Sequence, residues 1–226
     1  LVLSGRPGGD GTNLTLAVSA PAFTDVATNN VVPTEVVLRE IPDSIPPRVT
    51  GASINLTTGI LSLSFSEHID ATPTSLVNLS RLSIADVTGD AQVPLNGGGN
   101  GGDLPATVID ATEAMELRIE LTERQRVRCI EISGTPGNIF SNGAARLDAL
   151  EGALVDMAGN PSEAKIDFII TEHADVLHPP VVEASILYGT GILTVTASET
   201  IDVTPTNLIV PSKFILDDNT ATPISA

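Results

Sequence analysis

Tryptophan is absent, tyrosine occurs once as Tyr188, and aromatic residues make up 3% of the 226 positions. So few flat rings leave no platform for a stacked sugar. Cysteine also occurs once, as Cys129, which excludes an intrachain disulfide and a disulfide-stapled scaffold. Secretion stays open, since a domain of this size can rely on its core. Basic residues are scarce: 11 Lys and Arg stand against 28 Asp and Glu, for a net charge of −17. A polyanion of this kind repels nucleic-acid phosphates and anionic lipid heads, so no nucleic-acid partner is expected. No run of about 18 apolar residues offers a membrane span, and no charged-then-apolar leader opens the chain.

Patterns for catalysis are missing too. His68, His173 and His178 have no Ser, Cys or Asp partner pattern, and Ser66, Glu67 and His68 are neighbours on an extended segment facing alternate sides. A single cysteine and no ligand spacing leave zinc unsupported. The glycine-rich run Asn96 to Gly102 lacks the Lys-Ser/Thr of a phosphate loop and reads as a hairpin tip or crossover loop. The chain is expected not to be an enzyme.

What is present is a repeat. Pro46 to Asp86 reads PPRVTGASINLTTGILSLSFSEHIDATPTSLVNLSRLSIAD, and from Pro179 the chain returns with PPVVEASILYGTGILTVTASETIDVTPTNLIVPSKFILDD. Gly59 matches Gly191, Glu67 matches Glu199, Asp70 matches Asp202 and Pro73 matches Pro205, all 132 positions apart. Such a period marks a whole domain, larger than a solenoid turn. Ser4 to Gly8 resembles Ser133 to Gly137, and Asp25 to Asn29 resembles Asp156 to Asn160, at offsets of 129 and 131. The expected organisation is therefore the C-terminal part of one repeat (1–45), a complete repeat (46–177) and the N-terminal part of another (178–226). Leu1-Val2-Leu3 and Ala226 both fall inside a pattern, so the chain is expected to be a window on a longer polypeptide.

Within the complete repeat, period-two alternation dominates. Leu61, Leu63 and Phe65 alternate with Ser62, Ser64 and Ser66, and Met115, Leu117, Ile119 and Leu121 alternate without a break. Further strands are expected at 52–56, 81–85, 106–110, 130–133, 144–150 and 165–171, separated by turns such as Thr58-Gly59 and Gly159-Asn160-Pro161. Thr122-Glu123-Arg124-Gln125 fits a capping box and predicts one helix of about two turns, ending before Ile132. Burial as a small apolar residue is expected for Cys129. Short strands, frequent turns and one short helix per repeat describe an all-β fold of tandem immunoglobulin-like β-sandwiches. Ile45-Pro46-Pro47 and His178-Pro179-Pro180 follow polar runs, and paired prolines hold linkers semi-rigid.

These residues resemble the bacterial-type immunoglobulin-like repeats of very long surface proteins, found in adhesins, cyanobacterial motility-associated proteins and surface proteins of unicellular algae. The shared features are the Pro-Pro opening, Phe65-Ser66-Glu67-His68-Ile69-Asp70, the helix opened by Leu121-Thr122-Glu123, the Ser-Gly-Thr-Pro-Gly turn and Asp156-Met157-Ala158-Gly159-Asn160. Thr28-Asn29 replaces Gly159-Asn160 in the first copy, and Ala197 replaces Phe65 in the third. The resemblance implies an extracellular or cell-surface module with a structural or adhesive role. Its partners would be further copies of the same or a similar protein, in a filament or coat, or glycans.

Two readings are open for the acidic residues. Glu67 and Asp70, their equivalents Glu199 and Asp202, and the pair Asp156 and Asn160 stand near strand ends, with Asp43, Glu172 and Asp175 in linkers. They supply the oxygens that calcium takes in sixes to eights. Equally they suit solvated turns capping backbone amides, which the lack of an EF-hand-like spacing favours. No other cofactor is expected. Asn13, Asn55 and Asn78 head glycan acceptor patterns, whereas Asn160 is blocked by Pro161.

Overall fold

The structure is a computed structural model that describes residues 9–98, 103–109, 114–140 and 143–217. The chain divides into Leu1–Val176 and Leu177–Ala226. The first unit opens with a hairpin of β1 (Thr15–Val18) and β2 (Thr34–Val37). It continues through β3 (Val49–Asn55), β4 (Ile60–Ile69), β5 (Leu82–Ala85), β6 (Gln92–Pro94), β7 (Thr107–Val108) and β8 (Ala114–Glu120). Helix α1 (Glu123–Ile132) and strands β9 (Arg146–Ala149), β10 (Lys165–Ile169) and β11 (Thr171–His173) complete it. The second unit holds the hairpin β12 (Val181–Leu187) and β13 (Ile192–Ala197).

The expectation of an all-β chain holds. Residues 46–176 form two sheets, a five-stranded one ordered β11-β3-β4-β8-β7 and a four-stranded one ordered β10-β9-β5-β6. Every pairing is antiparallel except β11 with β3, which run parallel. The inward residues of both sheets belong to one cluster. Leu61, Leu63 and Phe65 of β4 and Leu117 and Ile119 of β8 meet Leu82 and Ile84 of β5 and Leu147 of β9, all 3% exposed or less. Ser64 and Ser66 face outward, as alternation requires. The chain changes sheets between β10 and β11 at Ile170, which is 1% exposed and donates its N–H to Ala145 O. All buried members of this core lie between Val49 and Ile170.

Two local expectations need correction. Met115 is 45% exposed although it continues the Leu117–Ile119 alternation, because the β4–β8 pairing breaks step between Ser64–Glu116 and Ile69–Ala114. The strand expected at 130–133 does not form. Helix α1 runs on to Ile132 because Gln125, Cys129 and Ile132, spaced four and three apart, present one buried face. Its start is as expected. Thr122 Oγ1 accepts the Gln125 N–H at 3.3 Å, and Gln125 Oε1 accepts the Thr122 N–H at 2.9 Å. Gln125 does more than cap: it is 1% exposed and its Nε2 donates to Pro94 O at 3.0 Å, tying the helix to the four-stranded sheet.

The matched sequence segments share backbone detail. Asn55↔Ile60 in β3–β4 recurs as Leu187↔Ile192 in β12–β13, and each hairpin shifts register at the same place, Val49/Gly51 and Val181/Glu183. The turn glycines Gly59 and Gly191 share φ of 71° and 69°. The β1–β2 hairpin repeats β9–β10 at an offset of 131, and the register shift between Lys165 and Phe168, where Asp167 has φ 57°, adds the residue that changes the offset to 132. Thr28 occupies φ 70° where Gly159 has φ 87°, a conformation that costs a β-branched residue strain.

Leu63 makes the shared core testable. Leu63→Ala removes a fully buried side chain and is expected to lower the unfolding free energy of the complete repeat by about 2–5 kcal/mol, read from denaturant titration.

Candidate functional site

At the N-terminal pole of the complete repeat, three carboxylates from distant positions converge. Asp43 comes from the segment before Pro46, Glu67 from the end of β4, and Asp156 from the turn after β9; their oxygens lie within 4.8 Å of one another. Asp156 is the fixed member. It is 3% exposed, its Oδ1 accepts the N–H of Ala158 at 2.8 Å and of Asn160 at 2.7 Å, and its Oδ2 accepts Asn160 Nδ2 at 2.8 Å. Backbone pairing of Ile69 with Asp156 brings the end of β4 against this turn. Asp43 is exposed and caps the Ile45 N–H at 3.0 Å.

Glu67 bears the cost of this convergence. Its Oε1 is buried and makes no hydrogen bond to the described residues. Burial, then repulsion from Asp43 and Asp156, pushes its carboxyl above the usual carboxylate range. Three carboxylates at such spacing offer what a hard cation takes, though fewer oxygens than the six to eight calcium uses.

The remaining acidic residues are engaged in turns. Asp70 and Asp202 each accept the N–H two residues on, Thr72 at 3.0 Å and Thr204 at 2.8 Å, so both are backbone caps in equivalent turns. Asn160 supports Asp156 as its hydrogen-bond donor. Glu199 lies in the second unit, just past β13. Asp25 and Asn29 rebuild the Asp156–Asn160 turn, with Asn29 N–H and Nδ2 at 2.8 and 2.9 Å; these bonds hold the Asp25 carboxyl below its ordinary range. Asn13 and Asn78 are exposed, whereas Asn55 is half-buried and accepts the Thr57 N–H at 3.0 Å.

At the opposite pole stands a group that the sequence did not single out. Arg126 of α1 is 6% exposed and donates to Glu123 through Nε at 2.7 Å and Nη2 at 3.0 Å, while its Nη1 reaches Asp175 Oδ2 at 2.7 Å and Leu56 O at 2.8 Å. These bonds, Glu123 foremost, raise its pKa further and fix it as a cation. Asp175 is therefore anchored rather than a free linker residue. Glu172 likewise caps Gly134 and Ala145 through their N–H groups at 2.9 and 2.8 Å. Only the Glu123-Arg126 spacing, an i,i+3 pair on a helix, hinted at this network. Cys129 is 1% exposed, as expected, and burial pushes its thiol up to about 12, so it stays protonated and unreactive at neutral pH.

No family model, no curated protein and no solved structure matches the chain.

The sign of the Glu67 effect is definite. With a raised folded-state pKa, the ionised carboxylate opposes folding above that value, and the penalty is relieved as pH falls through it. In chelator at pH 7, Glu67→Gln is expected to melt above the wild type, with the gain shrinking toward the carboxylate range. Added calcium should raise the wild-type melting temperature and leave Glu67→Gln nearly unmoved. Calorimetry at several pH values, with EDTA or calcium, checks both, and a wild type that melts identically in the two media removes the cation from the account.

Proposed function

We propose that the chain is a segment of a structural component of an extracellular fibre, stalk or surface coat built from tandem immunoglobulin-like domains, with a mechanical rather than catalytic role. The strand order supports the domain type: β3-β4-β8-β7 reads as A-B-E-D and β10-β9-β5-β6 as G-F-C-C′, the two sheets of an immunoglobulin sandwich with one added edge strand. The recurrence of its hairpins at offsets of 131 and 132 supports the tandem arrangement.

The observation that carries the mechanical reading is the parallel pairing of the first and last strands of the repeat, with Thr171↔Ser53, Glu172↔Ile54 and His173↔Asn55 in register. Strands that lie parallel with their outward ends at opposite poles are loaded in shear when the chain is pulled from both ends. The bonds of the ladder must then yield together rather than one at a time. Both ends are tied down as well. Glu163 N–H donates to Pro47 O at 3.0 Å, Arg48 Nη2 meets Glu163 Oε1 at 2.7 Å, and Ser66 N–H donates to Arg48 O at 2.9 Å. At the other end, Leu56 N–H donates to His173 O at 2.9 Å, Thr57 Oγ1 to Ala174 O at 3.3 Å, and Val176 N–H to Thr57 Oγ1 at 3.1 Å, beside the Arg126–Asp175 pair.

A calcium ion among Asp43, Glu67 and Asp156 would add to the same design by fixing the segment that leads into the repeat. The adhesin alternative places recognition in loops such as Asn96 to Gly102, of which residues 99–102 lie outside the described residues. Single-molecule pulling through residues 46 and 176 tests the mechanical reading. The repeat is expected to unfold at a force that Asp175→Ala lowers, and a force untouched by that substitution contradicts the proposed load path.

A further inference from the structure

Two of the three glycan acceptor patterns stand inside the complete repeat, and the fold treats them in opposite ways. Asn55-Leu56-Thr57 lies at the β3–β4 turn, where Asn55 is half-buried and its Oδ1 accepts the N–H groups of Thr57 at 3.0 Å and Thr58 at 3.2 Å. The hydroxyl of that pattern is committed as well. Thr57 Oγ1 donates to Ala174 O at 3.3 Å and accepts the Val176 N–H at 3.1 Å, while Asn55 itself is matched with His173 across the β3–β11 ladder. A sugar on Asn55 would crowd the bonds that fasten β11 to the rest of the repeat.

Asn78-Leu79-Ser80 lies on the connection between β4 and β5. Asn78 and Ser80 are both exposed, and Leu79 is the member of the pattern that packs against the core. The Asn78 N–H donates to Ala153 O at 2.8 Å, which pins the backbone. Its Oδ1 accepts the Ser80 hydroxyl at 2.6 Å and the Ser80 N–H at 3.2 Å. The carbonyl half of the amide is thus turned back onto the pattern's own hydroxyl, and the Nδ2 half, the atom that a glycan joins, is turned away from it. The repeated turn does not need an asparagine here. Val210 stands 132 positions later, at the head of the equivalent one-turn helix Pro211–Lys213, which forms with no side-chain cap.

We propose that Asn78 carries an N-linked glycan in the folded repeat and that Asn55 does not. The donor is a lipid-linked oligosaccharide. A bond forms between Asn78 Nδ2 and the anomeric carbon, the anomeric carbon–oxygen bond to the lipid diphosphate breaks, and a proton leaves Nδ2 as the diphosphate departs. The bonds of Asn78 run to Ala153, Ser80 and Arg81, not to β11 or the segments that fasten it. A sugar at this place therefore adds bulk and solubility at the surface and leaves the core and the load path as they are. This inference rests on the extracellular reading, since the donor is met on a secretory route. Its test supplies that route, so a failure there falls on Asn78 alone, and the load path within residues 46–176 is measured separately.

The test is secretion of the 226-residue chain from a eukaryotic cell behind a cleavable leader, with Asn13→Gln removing the acceptor pattern outside the complete repeat. The intact mass of the secreted protein is measured before and after treatment with an N-glycosidase. One glycan per chain is expected. Asn78→Gln and Ser80→Ala should each abolish it, the second while keeping the Asn78 side chain and its hydrogen bond to the Ser80 N–H. Asn55→Gln should leave it in place. A secreted chain that carries no glycan, or one whose glycan survives Asn78→Gln, overturns the proposal. A further glycan that disappears with Asn55→Gln overturns the distinction between the two turns.

Discussion

Leu61 and Leu63 on β4 and Leu82 and Ile84 on β5 are 1% exposed or less only because each sheet is the lid of the other. That mutual cover is the constraint from which the rest of the structure follows. A β-sheet with one apolar face must bury it, and two such faces closing on each other remove both from water at once. Helix α1 and the Ile170 crossover seal the open sides, with Cys129 and Ile132 from the helix joining the same cluster. The ends of the repeat are then held where the core puts them, and the clamps at Pro47 and Asp175 become possible because the strands they bind cannot move.

The polar network at Arg126 depends on the same burial. A guanidinium removed from water needs its charge and its donors satisfied, and Glu123, Asp175 and Leu56 O do so. Removing one partner would strand a buried charge, so the loss of Asp175 or Glu123 is expected to destabilise the repeat. The opposite pole shows the reverse condition, with three carboxylates and no cation among the described residues that meet them. One end of the repeat is balanced by its own side chains, and the other carries unrelieved repulsion centred on Glu67.

Much of this was legible in the chain before any coordinates. The alternation of Leu61, Leu63 and Phe65 fixed which face of β4 is buried, and the Thr122–Gln125 capping box located the first turn of α1, because both are local patterns with a local physical cause. Where the helix stops was misread, since Cys129 and Ile132 extend it through a contact with a core the local pattern does not contain. Asp70, Asp156 and Asp202 each accept backbone N–H groups within their own turns. The meeting of Asp43 with Glu67 and Asp156 was not legible, because no spacing rule joins positions so far apart when the sheet pairing that assembles them is unknown. Arg126 was missed for a related reason: a basic residue on a short helix reads as solvated until Asp175 is brought beside it by β11. The recurrence in the sequence has matching hairpins, β3–β4 with β12–β13, and its change of offset from 131 to 132 falls at the register shift between Lys165 and Phe168.

The central claim is that residues 46–176 close around one interior whose buried members all lie between Val49 and Ile170. Hydrogen exchange on the intact chain addresses this amide by amide. The account predicts that amides of β3, β4, β5, β8 and β9 exchange only through global unfolding of the repeat, while those of β1, β2, β12 and β13 exchange orders of magnitude faster. Equal protection across all of these strands would contradict it.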